Sequence, residues 1–122
     1  MNTTRQTGRQ GENAAADWLT KNGYSVIKRN YTTPHGELDI IAEDEKYICF
    51  IEVKYRNDSP FLAKYGRPAR AVTAEKRKHI LYSAKHYLKN HPSAKKPRID
   101  VMEIIGKKEA DGFVSLNIKH FK

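Results

Sequence analysis

The stretch that decides the fold reads Gly36-Glu37-Leu38-Asp39-Ile40-Ile41-Ala42-Glu43-Asp44-Glu45-Lys46-Tyr47-Ile48-Cys49-Phe50-Ile51-Glu52-Val53-Lys54-Tyr55-Arg56. Two apolar runs flank the charged turn Glu43 to Lys46, which predicts a hairpin with strands over 38–42 and 47–55. The second run is apolar on both sides, Ile48 and Phe50 against Cys49, Ile51 and Val53, as in a central strand covered on both faces. Both runs nevertheless carry acidic residues where a plain core strand would carry Val or Leu. Ionised carboxylates enter a core only when something there compensates their charge. A divalent cation is the direct candidate.

Alternation along a strand puts Glu37, Asp39 and Ile41 on one face of the first strand and Ile48, Phe50, Glu52 and Lys54 on one face of the second. Pairing Ala42 with Tyr47 sets Asp39 opposite Phe50, Glu37 opposite Glu52, and Asp39 diagonal to Glu52, so both carboxylates converge on one ion. A slip of one residue would turn Asp39 away from Glu52 and Lys54. Hydrolysis of a phosphodiester needs a nucleophilic water, relief of charge in the transition state and a protonated leaving group. Hard oxygen ligands suit Mg²⁺ or Mn²⁺ for this work. Lys54 is placed to orient or deprotonate the water, or to stabilise the developing charge. Glu37 is equally well explained as a surface residue at a strand end.

Upstream, residues 9–22 have Ala15, Ala16, Trp18 and Leu19 at helical spacing, with Gly23 in the position of a left-handed cap. Glu12 falls on the same side as Ala15, Ala16 and Leu19, and by itself fits a carboxylate placed at a helix start. Residues 1–8 are polar and read as flexible, residues 24–31 as a strand, and 32–36 as a turn. Downstream, 57–72 contains Pro60, Gly66 and Pro68 and reads as a long basic loop. Thr73 then caps a helix to about Asn90 with Arg77, Ile80, Leu81, Ala84, Tyr87 and Leu88 along its buried stripe. Strands over 98–105 and 113–121 complete an order α-β-β-β-α-β-β, an α/β chain with a mixed central sheet flanked by helices.

With 122 residues the chain is long enough for one domain spanning 1–122. Its 23 Lys and Arg against 14 Asp and Glu give +9, and residues 61–100 supply that excess, with eleven basic side chains against Glu75 and Asp100. Such segregation favours an anionic partner over general solubility. The one cysteine, Cys49, permits no intrachain disulfide, reads as core, and suits a reducing compartment. No apolar stretch is long enough to span a membrane and there is no signal-peptide pattern, so the expected location is the cytoplasm. The five histidines have no metal-ligand spacing, and His79 and His86 read as exposed. Serine-hydrolase and nucleotide-fold fingerprints are absent.

Gly36-Glu37-Leu38-Asp39, twelve residues, then Glu52-Val53-Lys54 resembles the Asp…(Asp/Glu)-x-Lys signature of restriction-endonuclease-like nucleases. With Gly8-Arg9-Gln10-Gly11-Glu12, the run to Arg56, Ala71-Val72-Thr73 with Lys76, and Arg98-Ile99-Asp100-Val101, the chain resembles the YraN-like family of predicted endonucleases, relatives of archaeal Holliday-junction resolvases. The resemblance spans about residues 8 to 105. It implies a restriction-endonuclease-like fold with Asp39, Glu52 and the Val53 carbonyl as ligands of Mg²⁺ or Mn²⁺, Lys54 as catalytic lysine, and Glu12 as the acid that completes the site. Resolvases act on branched DNA as twofold dimers, so a homodimer, for which residues 113–121 offer apolar positions, would favour that substrate.

The expected partner is nucleic acid, DNA before RNA, held by Arg9, Arg56, Lys64, Arg67, Arg70, Lys76, Arg77 and Lys78, with Phe61 and Tyr65 for stacking. Lys76 and Arg77 stand at a helix start, where amides also meet phosphate. Two other readings stay open: a nucleic-acid-binding module with a vestigial or partner-dependent nuclease site, and a basic protein-interaction domain with a structural acid cluster.

Overall fold

A computed structural model describes residues 4–57, 73–108, 110 and 114–122, with side chains described for 10–56, 73–107, 110 and 116–122. Along the chain stand α1 (Thr4–Lys21), β1 (Ser25–Thr33), β2 (Gly36–Glu43), β3 (Tyr47–Asn57), α2 (Ala74–Asn90), β4 (Lys96–Lys108) and β5 (Val114–Phe121). The strands form a single sheet in the order β1-β2-β3-β4-β5. Only β3 and β4 run parallel. Antiparallel neighbours need only a turn, whereas the parallel pair needs a crossover, and α2 lies in it. The expected mixed α/β architecture, a five-stranded sheet flanked by two helices, is therefore what forms.

Strand β3 sorts its side chains between two cores, as its two-sided apolar pattern requires. Cys49 and Ile51 join Ala15 and Leu19 of α1, with Ile40, Ala42, Met102 and Ile104. Ile48 and Phe50 join Ile80, Ala84 and Tyr87 of α2, with Tyr31, Leu38 and Ile41. Burial pushes the Cys49 thiol up to about 11, in keeping with an inert core cysteine.

Local chemistry sets the helix ends. Gly23, at φ +89, lets the Tyr24 amide reach back to the Leu19 carbonyl at 2.9 Å and closes α1 in a left-handed cap. The Thr73 hydroxyl accepts from the Lys76 amide at 3.1 Å and opens α2 as anticipated.

Several expectations need correction. Helix α1 begins at Thr4 rather than residue 9, so Thr4 to Gly8, read as flexible, are helical. Strand β4 continues through Gly106 to Lys108, because Gly106 is held in the ladder opposite Leu116 of β5 rather than starting a turn. Arg77 and Leu81 are exposed, since the buried stripe of α2 runs through Ile80, Ser83, Ala84 and Tyr87. His86 is half-buried, with Nδ1 at 2.7 Å from the Tyr31 hydroxyl. The loop expected over 57–72 begins one residue later, Asn57 ending β3, and residues 58–72 lie outside the described residues.

The hairpin register differs from expectation by two residues. Ile41, not Asp39, faces Phe50, and Ala42 faces Cys49. The cause is the turn: the Asp44 carboxylate accepts the amides of Lys46 at 2.8 Å and Tyr47 at 2.7 Å. The Asp44 amide bonds the Tyr47 carbonyl at 3.1 Å, leaving Glu45 and Lys46 as the turn. Those amide bonds also hold the Asp44 carboxyl below its ordinary range. A two-residue shift preserves the parity of the pairing and sets Asp39 level with Glu52 instead of diagonal to it.

Candidate metal centre

Continued by one pair past Ile40 and Ile51, the β2–β3 register sets Asp39 level with Glu52. There the strands part, and the Asp39 carboxylate takes the Val53 amide at 2.7 Å, a donor that a β2 carbonyl would otherwise satisfy. Regular alternation also fails here. Leu38 packs in the α2-side core and Ile40 in the α1-side core, so Asp39 marks a change of face. Across β1, between the pairs Tyr31–Leu38 and Arg29–Ile40, stands Asn30 at φ +54. Its left-handed backbone is the matching irregularity in the neighbouring strand.

These breaks divide the site between the sheet faces, which corrects the expectation of one shared face. Ile51, Val53 and Tyr55 pack toward α1, leaving Glu52 and half-buried Lys54 on the α2 side of β3. Glu12 enters from α1 instead. One carboxylate oxygen each from Glu12, Glu37 and Asp39 lies within 4.8 Å of the others, a spacing that one cation spans. With its amide nitrogen turned toward the acids, Asn30 donates to Glu12 at 2.8 Å and Glu37 at 3.1 Å. Gly11 makes the approach of α1 possible: a Cβ there would meet the Tyr55 ring at 3.0 Å.

From the other face, Lys76 in the first turn of α2 places Nζ 3.2 Å from Glu52 Oε1. Glu52 is 9% exposed, and its Oε2 is buried without a hydrogen-bond partner. Burial first, then the Glu52 charge, pushes the Asp39 carboxyl up to about 7; the Glu12 charge adds to this, while the Val53 amide and Lys76 oppose it. Among the described residues the arrangement has four carboxylates, the lysines Lys54 and Lys76, and one orphaned oxygen at the parting of two strands. Negative charge is in excess, and an added cation would relieve it.

Asp39, Glu52 and Glu12 are thus gathered at the parting of β2 and β3, and Lys54 follows Glu52 on the α2 side of β3. Glu37, read from the sequence as a bystander, stands in the acid cluster; its position two residues before Asp39 was the signal for it. Asn30 left no signal, because its left-handed backbone depends on neighbouring strands. Of the residues expected to hold nucleic acid, Arg77 and Lys78 are exposed on α2, whereas Lys76 is engaged by Glu52. Arg56 is ion-paired with buried Glu103 at 3.3 Å. Arg9 belongs to α1 with its side chain not described, and Lys64, Arg67 and Arg70 lie outside the described residues, as do Phe61 and Tyr65.

On β4, opposite Ile51 of β3, Asp100 is fully buried between Arg98 and His120. Arg98 donates to both of its oxygens, at 2.8 and 2.9 Å, and His120 Nε2 lies 2.7 Å from Oδ2. Burial raises the Asp100 carboxyl, but the His120 and Arg98 bonds outweigh it and hold the group below its ordinary range. Arg98 also reaches the Tyr24 hydroxyl at 3.0 Å and covers the Tyr47 ring at 4.8 Å. This closed network ties β4, β5 and the start of β1 together.

Among the described residues no helix is long and apolar enough to cross a membrane. The model of uncharacterised protein family UPF0102 matches residues 11–104, which include Glu12, Asp39, Glu52, Lys54 and Lys76. A UPF0102 protein of Chlorobium phaeobacteroides is 43% identical over 116 residues, covering 94% of this chain and 86% of the relative. One from Desulfosudis oleivorans is 42% identical over 108 residues, covering 88% and 85%. Another, from Caldicellulosiruptor bescii, is 41% identical over 102 residues, covering 82% of each. The chain belongs to the protein family UPF0102.

Proposed function

We propose that this protein is a metal-dependent endonuclease of the restriction-endonuclease-like type, hydrolysing phosphodiester bonds of nucleic acid, with branched DNA as the favoured substrate, in the cytoplasm. The observation that carries the reading is the convergence of Glu12, Glu37 and Asp39 beside a buried Glu52 whose Oε2 has no partner. The donor set fits Mg²⁺ or Mn²⁺, both hard cations that take carboxylate and carbonyl oxygens. Asp39, Glu52, the Val53 carbonyl and Glu12 would hold the ion, with Glu37 as a further donor. When bound, it supplies Lewis acidity and a more acidic water.

The protein's own groups do the rest. Asp39 and Glu52 orient the reacting centre from two strands that a paired ladder holds in register. Lys54, on the α2 side of β3, gives positive charge to the phosphate as negative charge develops. Asn30 keeps Glu12 and Glu37 aimed at the same point. The basic surface of α2 attracts the polyanion. A twofold dimer would suit a branched substrate, and edge strand β5, with Leu116 43% exposed, is the surface proposed for it.

A second reading, a binding module with a vestigial site, is favoured by one contact: Lys76 already neutralises Glu52. Incubating branched, single-stranded and duplex DNA, and RNA, with Mn²⁺ separates the two. Metal-dependent cutting by the wild type, reduced at least a hundredfold in both Asp39→Ala and Glu52→Ala, is the expected result. Binding without cutting assigns the module instead.

A further inference from the structure

Lys78, Tyr82, Lys85 and Lys89 follow one another along α2 at steps of four, three and four residues. At ~100° per residue they form one narrow stripe. All four are exposed, and among the described residues none of the three lysines is ion-paired. Glu75 is the one acidic residue in the helix. Tyr82, 40% exposed, stands in the middle of this stripe, where a long polar residue would serve solubility better.

Its ring is held, not loose. His35, from the turn between β1 and β2, packs against it edge-on with centroids 4.2 Å apart, and the His86 ring lies 6.3 Å away. His35 is itself exposed. The turn is pinned to α2 by Thr33 Oγ1, 3.0 Å from Ser83 Oγ, a buried contact beside Tyr82 in sequence. His35 also precedes Glu37 of the acid cluster by two residues, across Gly36 at φ +141. The aromatic group therefore stands two residues along the chain from one acid of the candidate centre and continues into a row of cations.

We propose that Tyr82 and His35 form a stacking platform for an unpaired nucleobase, with Lys78, Lys85 and Lys89 holding the phosphates of the same single strand. The inference rests on the nucleic-acid reading above but not on cleavage. An aromatic ring fixed in place loses little entropy on stacking, and every base offers a π-face, so the platform reads single-strandedness rather than sequence. Lysines without ion-pair partners release phosphate counterions without first breaking an ion pair. This gives the protein a way to prefer a branch point or flap, where bases are unpaired, over continuous duplex.

The test is fluorescence anisotropy in EDTA, which excludes cutting, with labelled 15-nucleotide DNA and RNA single strands, a fully paired duplex, and an abasic strand of the same length. Tyr82→Ala is expected to weaken single-strand binding about 5- to 50-fold while leaving duplex and abasic-strand binding within about twofold. Tyr82→Trp should restore or improve it. Lys85→Gln should weaken all four probes and lower the slope of log affinity against log salt by about one. Single-strand binding that is unchanged in Tyr82→Ala, or no weaker for the abasic strand in the wild type, overturns the platform and leaves the nucleic-acid reading standing. No salt-sensitive binding to any probe overturns both and favours a protein partner for this face. Far-ultraviolet circular dichroism of the variants excludes misfolding, and Tyr82→Phe, which retains the ring, should bind as the wild type does.

Discussion

The most informative single residue is Asp39, because its carboxyl is pushed up from 3.8 to about 7, by burial first and by the Glu52 charge second. A carboxyl whose native value lies above its unfolded value binds its proton more tightly in the folded state. Its contribution therefore favours folding at low pH and is lost as pH rises from about 4 through about 7, with a full shift on the order of 4 kcal/mol. In EDTA, Asp39→Asn should be a few kcal/mol more stable than the wild type at pH 8 and should converge with it near pH 4. Its amide oxygen still accepts from Val53. Urea denaturation of both proteins at pH 4.5, 6 and 8 checks this, and parallel pH profiles would refute it. Taking the difference between the proteins removes the opposing effect of Asp100, whose depressed carboxyl stabilises the fold above the ordinary carboxylate range.

At the scale of elements, α1 and β3 meet at Gly11, and that contact delivers Glu12. A side chain at Gly11 would enter the Tyr55 ring, at 3.0 Å from Cδ2 and 3.3 Å from Cβ, and would lift the helix. Gly11→Val should cost about 1–3 kcal/mol by overpacking. It should also weaken Mn²⁺ binding about as much as Glu12→Ala, whereas Asp17→Ala, at an exposed position of the same helix, should do neither. Thermal denaturation and Mn²⁺ titration by electron paramagnetic resonance give the two readouts. Equal Mn²⁺ affinity in Gly11→Val and wild type would show that α1 does not position the ligand. The β2–β3 hairpin is the complementary element: the Asp44 turn sets its register, and the register sets Asp39 level with Glu52.

For the whole molecule, two cores on either side of one sheet are joined through β3, and the Arg98–Asp100–His120 network ties β4 to β5 beside it. Asp100 is fully buried, so removing it leaves Arg98 and His120 facing an unfilled, uncompensated site. Asp100→Ala should destabilise the fold by about 3–5 kcal/mol. The loss should be seen equally with and without Mn²⁺, measured by chemical denaturation. A loss that depends on Mn²⁺ would place Asp100 in the metal centre rather than in the frame. The molecule thus holds its acid cluster where β2 and β3 part and its compensated Asp100 where β4 and β5 are tied.

Period and punctuation made much of this legible in the chain alone. The two-sided apolar run of β3, the cap at Thr73 and the glycine at the end of α1 are local signals, and they dictate the order of elements and the burial of Cys49. Glu52 and Lys54 share a face by alternation along β3 alone, whatever register the turn imposes. Only the tertiary structure decided how the acids meet. The absolute register depended on side-chain capping by Asp44, and the change of face at Asp39 depended on Asn30 across the neighbouring strand. Glu37 joined the cluster, and Arg56 and Lys76 were drawn to Glu103 and Glu52, through contacts between residues far apart in sequence. Local propensity specifies where a strand or helix runs. Which charge stands against which is settled only when two elements pack, because electrostatic pairing acts over a few ångströms of space and ignores separation along the chain.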